Sequence, residues 1–491
     1  MLQIKRVLTQ HKSPAMLIIA GLFAWICSTL CTPLADAQRD IVCIVMAILW
    51  LGCAAAQLMR KRDLTPALLC GSFLMGLVFI LQLDHLFSWH DLAIYSSDFS
   101  GVNNPDGHLG YIAYLVENGR PPLAEDPRVD GYSIFYNPPL YHIVQALWMK
   151  LNLALGMDQA VAIENMQVVT LMCAFGCVLA ARALVRELGM GERAQRVAVL
   201  AMGFQPALHI LGATLNNDIA MVLCALWCVV FVVRWHRTRR MADILMIAVT
   251  LGCGMAIKLN CALLIPCIAV VFAVDFFKDL KHMKRYIGQF AAFLALSVPV
   301  AVIWPVYHMI AFQMPLQYVR LPAETINVSG YSLWERFGIP GWHAIRGLFY
   351  SGIRKVDHNF WMQTLKTGLF DELALFAEGT LMWYAAYLLL VGFAAFLLAA
   401  LALFVRMLVR GKLGLMGLFL AAYGAILLFS YGNFFIQYPY ICSANFRYIA
   451  PVLALCALGY AHAGQKNRLC EAAAAVFALG CAGVWGVYFL G

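Results

Sequence analysis

The sequence predicts an all-α polytopic membrane protein with about thirteen transmembrane helices. Hydrophobic residues make up 63% of the 491-residue chain, charged residues make up only 12%, and the mean hydropathy is +0.76. A typical water-soluble domain carries about twice as many charges and far fewer apolar residues. We therefore expect most of the chain to lie in a lipid bilayer.

Apolar runs long enough to cross the hydrocarbon core as an α-helix recur from one end of the sequence to the other. The first run lacks a small-residue cleavage site and further runs follow at once, so we expect it to remain as a helix. The predicted spans lie near residues 15–35, 41–59, 65–87, 161–181, 195–214, 219–234, 241–258, 260–277, 286–310, 378–405, 413–431, 446–463 and 470–490.

Lysines and arginines are concentrated in every second connection between these spans, and such residues are retained on the cytoplasmic side of short loops. The pattern predicts an integral membrane protein with a cytoplasmic N-terminus, and a bacterial inner or plasma membrane is the expected location. The basic connections lie at residues 60–62, 182–196, 234–240, 278–285, 406–412 and 466–468. The net charge of +9 reflects this asymmetry and an attraction to anionic membrane lipids, and no pattern indicates nucleic-acid binding.

Two long segments, 88–160 and 311–377, are predicted to be external inserts in a single membrane domain that covers residues 1–491. The first insert contains a polar, acidic stretch, and residues 106–118 within it predict a short helix that ends at an Asn-Gly pair. Residues 140–155 predict a second amphipathic helix after a rigid Asn-Pro-Pro turn. Both helices are expected to lie along the membrane interface.

Five motifs follow one another along the chain, each at a predicted external position. They are Asp-Gly-His-Leu-Gly-Tyr-Ile from Asp106, Tyr-Asn-Pro-Pro-Leu-Tyr-His from Tyr136, Leu-Asn-Asn-Asp up to Asp218, Gly-Met-Ala-Ile-Lys up to Lys258, and Asn-Phe-Arg-Tyr around Arg447. Together they resemble the GT-C superfamily of membrane glycosyltransferases over residues 65–460. They are similar to glycosyltransferase family 39, the branch of protein mannosyltransferases and lipid A aminoarabinose transferases. The resemblance implies a GT-C fold and a sugar donor linked to a polyprenyl phosphate.

The resemblance departs from the family's pattern in two respects. Two spans precede the helix that carries the first insert, where relatives commonly have one. The family's paired acidic residues are here spread as Asp98 and Asp106. Transfer from a lipid-phosphate sugar needs a carboxylate that takes the proton of the acceptor hydroxyl. Asp106 is the preferred candidate for this base and Asp98 the second, although an Asp at the start of a helix is also an ordinary cap.

Cations are needed to hold the departing phosphate, and Lys258 and Arg447 are the candidates. Each lies near the external end of a span that is otherwise free of charge, where an ionisable residue is costly unless it is paired or faces a polar cavity. Snorkelling of the side chain to the outer surface is the alternative explanation. The corresponding residues of the family approach the lipid phosphate.

Four further residues are candidates for substrate binding. Asn217 and Asp218 can bind sugar hydroxyls or partner Lys258, although a short Asn-Asn-Asp turn is also an ordinary helix cap. His108 can orient an acceptor or a metal ion, and Tyr136 belongs to the motif that closes the insert. No cofactor is required, and whether a divalent cation takes part stays open because no ligand spacing demands one.

The main hypothesis is an inverting glycosyltransferase that moves a sugar from a polyprenyl-phosphate donor to a lipid, glycan or protein acceptor on the external face. A polymerase or ligase of lipid-linked oligosaccharides is an alternative that is harder to reject than a transporter, because it would share the predicted topology. Such an enzyme would centre on His343, Arg346 and Arg354 in the second insert. A transporter or flippase is less well supported, because the predicted spans are nearly free of internal charge.

Overall fold

The computed structural model describes residues 12–83, 107–123, 125–126, 133–313, 324–341, 345, 348–349, 358–371, 379–410 and 413–490. Within these ranges the chain is helical, and its only β-type pairing is an isolated bridge between Asn327 and Tyr440. The predicted all-α class is confirmed. The charged and polar residues that matter below lie where these helices begin and end.

The helices follow one another with short connections. They are α1 (Lys12–Cys31), α2 (Asp36–Met59), α3 (Thr65–Gln82), α4 (Gly107–Asn118), α5 (Leu140–Ala154), α6 (Gln159–Glu164), α7 (Met166–Glu187), α8 (Glu192–Gly203), α9 (Pro206–Ala213), α10 (Asp218–Thr238), α11 (Met241–Ile257), α12 (Ile265–Lys278), α13 (Met283–Phe312), α14 (Leu333–Phe337), α15 (Phe360–Phe370), α16 (Leu381–Val409), α17 (Gly414–Gln437), α18 (Val452–Gly464) and α19 (Arg468–Leu490). Short 3₁₀ turns precede several of them, including Ser133–Tyr136, Leu259–Leu264 and Phe446–Ile449.

Nine helical segments of the described residues are long and apolar enough to cross a membrane, and the number rises to eleven if two bent pairs each form one span. The chain is therefore an integral membrane protein. Two of the predicted spans correspond to the shorter apolar helices Met16–Cys31 and Met241–Ile257. The count of thirteen is accordingly not confirmed, although every predicted span overlaps a helix.

The two bent pairs bend next to a proline. Helices α8 and α9 meet at 60°, and Pro206 is the first residue of α9. The segment Ile441–Ile449 meets α18 at 46°, and Pro451 is the residue that precedes α18. Proline has no backbone N–H and clashes with the preceding turn, so it favours a bend or a break at these two positions.

Helices α4 and α5 form a small separate core with the end of α13. Leu109, Ile112 and Met149 are buried in this core together with Trp304 of α13. The helix bounds agree with the prediction within one residue at each end. The apolar face of α4, which was predicted to contact the membrane, is instead largely buried against protein. Helix α5 and the 3₁₀ turn before α5 cover this face.

Ion pairs between basic and acidic side chains cluster at one end of the bundle. Arg193 and Arg196 both bind Glu471, Arg234 binds Asp243, and Arg239 binds Asp275. These residues all belong to predicted cytoplasmic connections or lie beside them. The starts of α7 and α10 and the end of α11 therefore lie at the opposite end of the bundle, which is the predicted external end.

Candidate active site

The start of α10 and the end of α11 bring a carboxylate and an ammonium group into contact. The two helices are antiparallel neighbours joined by a very short connection, so the first residue of α10 and the residue after α11 lie side by side. The Nζ atom of Lys258 lies 2.5 Å from Oδ1 of Asp218. Asp218 is thus paired with Lys258, and substrate binding by Asp218 stays a prediction.

The turn before α10 is held by its own asparagines. The Oδ1 atom of Asn216 accepts hydrogen bonds from the backbone N–H groups of Asp218 and Ile219, at 2.9 and 3.3 Å. The side-chain amide of Asn217 donates to the carbonyl of Ile257 at 3.2 Å and so ties α10 to the end of α11. Both asparagines are buried. This bond gives Asn217 a structural role, and substrate binding by this residue stays a prediction.

A second cation reaches the same carboxylate from a distant part of the chain. The Nε atom of Arg447 lies 3.7 Å from Oδ2 of Asp218. The guanidinium also donates to the hydroxyl of Tyr448 at 3.0 Å and lies 4.9 Å from the centre of its ring, while Nζ of Lys258 lies 5.2 Å from the same ring. The three charged residues and Tyr448 are named here the charge cluster.

The 3₁₀ turn that carries Arg447 is fixed by hydrogen bonds to α15 and to the residue that follows it, within the second predicted insert. The Oδ1 atom of Asn445 accepts from the backbone N–H of Arg447 at 3.0 Å, and its amide donates to Oδ1 of Asp371 at 3.3 Å. The backbone N–H of Phe446 donates to Oγ1 of Thr367 at 2.9 Å. Thr367 lies on α15 and Asp371 follows that helix directly. The end of α15 therefore determines where Arg447 is placed.

The charge cluster carries one more positive than negative charge. The Asp218 side chain is only 3% exposed, whereas those of Lys258 and Arg447 keep 18% and 15% of their surface accessible. A buried carboxylate beside two cations is stable because the pairing offsets its loss of hydration. The accessible cations with their surplus charge can then attract an anion, and a phosphate group is the anion for which such clamps are commonly used.

His108 lies close to the charge cluster and forms a pair with His142. Nδ1 of His108 and Nε2 of His142 are 2.9 Å apart, and the two rings are stacked. Burial, with a smaller contribution from the charges of Lys258 and Arg447, lowers the pKa of His108 to about 3. Burial and the neighbouring His108 also hold the pKa of His142 well below its usual range. Both imidazoles are consequently neutral near pH 7. His142 was not among the predicted site residues, although it belongs to the motif that begins at Tyr136.

Tyr136 packs against the end of α13. Its ring lies edge-on to those of His308 and Phe312, and its carbonyl accepts a hydrogen bond from Nε1 of Trp304 at 3.1 Å. These contacts anchor the 3₁₀ turn before α5. A role for Tyr136 in substrate binding stays a prediction.

Several predicted residues lie outside the described part of the chain. These are the two candidate bases, Asp98 and Asp106, and the three residues that distinguish the polymerase or ligase alternative, His343, Arg346 and Arg354. Among the residues that are described, no group of three or more His, Cys, Asp or Glu side chains is arranged to hold a metal ion. The question of a divalent cation therefore stays open.

The fold is that of a polytopic helical membrane protein, and the charge cluster lies at one end of its bundle. Residues 137–304, roughly a third of the chain, match the family described as dolichyl-phosphate-mannose-protein mannosyltransferase. The match confirms the predicted resemblance to the GT-C superfamily. It runs from the turn before α5 into α13 and includes Asp218 and Lys258. No curated protein sequence matches the chain.

Solved structures of two GT-C enzymes are similar to the chain at low identity. The oligosaccharyltransferase of Archaeoglobus fulgidus tethered to an acceptor peptide is 12% identical, with a TM-score of 0.46, over 88% of this chain and 55% of that one. The same enzyme with an inhibitory peptide and a dolichol-phosphate is 14% identical, with a TM-score of 0.42, over 87% and 55%. ArnT from Cupriavidus metallidurans bound to undecaprenyl phosphate is 13% identical, with a TM-score of 0.38, over 84% and 75%. The chain thus spans about half the length of the archaeal enzyme, and likenesses of this degree do not establish a shared activity.

Proposed function

We propose that the protein is a glycosyltransferase that uses a sugar linked to a polyprenyl phosphate. The observation that carries the proposal is the charge cluster, in which two accessible cations share one buried carboxylate. The family that matches residues 137–304 is described by a lipid-phosphate-linked mannose donor. A phosphate with a lipid tail would place its charge between Lys258 and Arg447 and its tail in the bilayer.

The reaction follows from this placement. The oxygen of an acceptor hydroxyl attacks the anomeric carbon of the sugar from the face opposite the phosphate. The bond between that carbon and the phosphate oxygen breaks, and the electron pair leaves with the phosphate. Lys258 and Arg447 stabilise the charge that develops on the phosphate, which is the main electrostatic demand of the step. Inversion at the anomeric carbon is the expected stereochemical result.

A separate carboxylate is required to take the proton of the acceptor hydroxyl. Asp218 is not suited to this role because its two oxygens already face Lys258 and Arg447. Asp218 orients the two cations instead. Asp106 remains the preferred base, since it directly precedes α4 in the sequence. His108 of α4 lies close enough to Lys258 and Arg447 for their charges to lower its pKa. Asp98 is the second candidate.

The reaction is proposed to occur on the external face of the membrane, in a bacterial inner or plasma membrane. The basic ends of the helices lie at the end of the bundle opposite the charge cluster. Basic connections favour the cytoplasmic side, which would leave the charge cluster outside. The acceptor is a hydroxyl of a lipid, a glycan or a protein.

The test uses the purified full chain in liposomes with undecaprenyl phosphate linked to single hexoses or pentoses. A lipid extract from cells that lack the gene supplies acceptors, and mass spectrometry follows the products. We expect release of undecaprenyl phosphate together with a product that is one sugar larger. Passage of the lipid-linked sugar across the bilayer without its cleavage would instead identify a transporter, and growth of an oligosaccharide on the carrier would identify a polymerase.

Binding of sugar-free undecaprenyl phosphate tests the clamp directly. Lys258→Ala and Arg447→Ala should each weaken this binding roughly 10- to 100-fold, because each removes a charge-assisted hydrogen bond. Lys150→Ala is the matched control, since Lys150 is an exposed lysine on α5. If all three variants bind the lipid equally well, the phosphate clamp is contradicted. Lys258 and Arg447 would then have no role in binding the phosphate.

A further inference from the structure

Helix α16 ends at the end of the bundle where the ion pairs cluster, far from the charge cluster. Its Phe393 lies against Phe446 in the turn before α18, with 5.6 Å between the ring centres, and Phe404 packs against Gly459 of α18. The two helices therefore run side by side in the same direction. Helix α18 ends at Gly464, which packs against α8, the helix whose arginines bind Glu471. The end of α16 thus lies at the predicted cytoplasmic end.

Two arginines, Arg406 and Arg410, lie at this end of α16. They are four residues apart, so both point from the same side of the helix, and both are exposed. Other arginines at this end of the bundle bind acidic side chains, as Arg193 binds Glu471 and Arg234 binds Asp243. Within the part of the chain that the structure describes, neither Arg406 nor Arg410 forms an ion pair. Their charges are therefore available to a ligand.

An open apolar groove leads along α16 to these two arginines. The groove has a volume of about 590 Å³. The aliphatic side chains that line it recur every three or four residues and so form one exposed stripe of the helix, comprising Leu398, Leu401, Val405 and Val409. The opposite face of α16 is buried in the bundle through Ala400, Phe404 and Met407. The stripe consequently faces the lipid.

The length of α16 indicates the depth of the arginines in the membrane. The helix has 29 residues and is therefore about 43 Å long, whereas the hydrocarbon core is about 30 Å thick. The last turn of such a helix reaches the level of the lipid headgroups. The aliphatic stripe that precedes it lies beside the acyl chains.

We propose that this face of α16 is a binding site for an acidic phospholipid of the cytoplasmic leaflet. The phosphate lies between Arg406 and Arg410, and one acyl chain follows the stripe from Val405 to Leu398. Guanidinium groups suit a phosphate because their N–H donors match its oxygens in pairs. A zwitterionic lipid would bring its own cation next to the two arginines, so the site favours a lipid with a net negative charge. The inference does not depend on the proposed sugar transfer.

The experiment measures phospholipid binding to the purified full chain in detergent. Phosphatidylglycerol is the acidic probe and phosphatidylcholine the zwitterionic one, and native mass spectrometry counts the bound lipids during a titration. The double variant Arg406→Gln and Arg410→Gln should bind phosphatidylglycerol roughly 30-fold more weakly, since each basic residue near the surface contributes about fivefold. Its weak binding of phosphatidylcholine should stay unchanged.

The matched control is the double variant Arg60→Gln and Arg62→Gln. These two arginines are also exposed, and they flank α2 and α3 beside Asp63, which contacts Arg196 at the same end of the bundle. The control should keep the affinity of the wild type for phosphatidylglycerol. Equal losses in the two double variants would mean that only diffuse charge attracts the lipid, and the site would be refuted. Full affinity in the α16 variant would refute it as well.

Two further measurements test the groove and the location. Ala402→Phe fills the groove, which Ala402 helps to line, and keeps both arginines. It should weaken phosphatidylglycerol binding roughly 3- to 10-fold and should unfold at the temperature of the wild type without lipid, because Ala402 is exposed. Competition by glycerol phosphate, which lacks acyl chains, as strong as that by the lipid would overturn the proposal. Loss of phosphatidylglycerol binding in Lys258→Ala would instead place the lipid in the charge cluster and would also overturn it.

Discussion

Replacing Asp218 with asparagine removes the only carboxylate of the charge cluster while it keeps the shape of the side chain. Lys258 and Arg447, at 2.5 and 3.7 Å from Asp218 in the wild type, then lose their counter-charge. Breaking a fully buried pair from one side costs about 3–5 kcal/mol. Both cations keep part of their surface accessible, so we expect a smaller loss. The free energy of unfolding of the protein without lipid should fall by about 2–3 kcal/mol.

Binding of a phosphate lipid should change in the opposite direction. A phosphate held by the two cations would lie roughly 6 Å from the Asp218 carboxylate, and at an effective dielectric constant of about 20 their repulsion amounts to about 3 kcal/mol. Asp218→Asn removes this repulsion. The affinity for sugar-free undecaprenyl phosphate should therefore rise roughly 10- to 100-fold, and the lipid should restore the lost stability. Sugar transfer should fall, since the cations are no longer oriented.

Thermal unfolding of the purified protein in detergent, at increasing concentrations of undecaprenyl phosphate, measures both effects in one titration. The variant should unfold at a lower temperature than the wild type when empty, and it should gain more from saturating lipid. Asp158→Asn serves as the control, because its exposed carboxylate lies outside the charge cluster. A variant that is destabilised and also binds the lipid more weakly would refute the reasoning, since Asp218 would then contribute to the anion site directly.

Two further predictions concern the candidate base and the histidine pair. Asp106→Asn should abolish transfer in a single-turnover assay without weakening donor binding, because it removes only the acceptor of the proton; unchanged turnover, with loss of turnover in Asp98→Asn, would move the base to Asp98. Burial lowers the pKa of His108 to about 3 in the folded protein. Between about pH 3 and 6.5 the imidazole of His108 is therefore protonated only in the unfolded chain. Stability from His108 is thus fully present above pH 6.5 and is lost as the pH falls, by up to about 1.4 kcal/mol per pH unit. Unfolding of His108→Asn measured from pH 7 to 5 should show a shallower loss than the wild type, and equal slopes would contradict the buried neutral state.

The sequence predicted those features that depend on local patterns. Apolar runs located the helices, and the short connection between α10 and α11 implies that Asp218 and Lys258 meet, because antiparallel neighbours bring the start of one helix to the end of the other. Arg447 was recognised from the cost of a charge near the end of an apolar span. Its contact with Asp218 joins residues more than two hundred positions apart, and the partner in such a contact is fixed by the packing of the bundle.

The contribution of the second insert was not predicted for the same reason. Thr367 and Asp371 lie at the end of a short helix with no motif of its own, and their importance follows only from their bonds to the turn that carries Arg447. The backbone of Asp371 has a φ of +53°, and this conformation is equally invisible in the sequence, since aspartate gives no sign of a positive φ before the backbone is known. His142 was present in a quoted motif, but its pairing with His108 requires the packing of α4 against α5.

The same asparagine turn precedes both Asp218 and Arg447 and fixes the backbone of each residue. Asn216 accepts the backbone N–H of Asp218, and Asn445 accepts the backbone N–H of Arg447, each two residues further along the chain. An asparagine in this position closes a compact turn and satisfies a backbone donor at the start of the following helix. The charged side chain thereby projects from a rigid turn. Asn445 also donates to Asp371, which attaches its turn to the end of α15, whereas the bond from Asn216 to Thr214 stays within its own turn. The spacing of asparagine and charge is therefore a signal, readable in the sequence, for where these two residues are fixed in place.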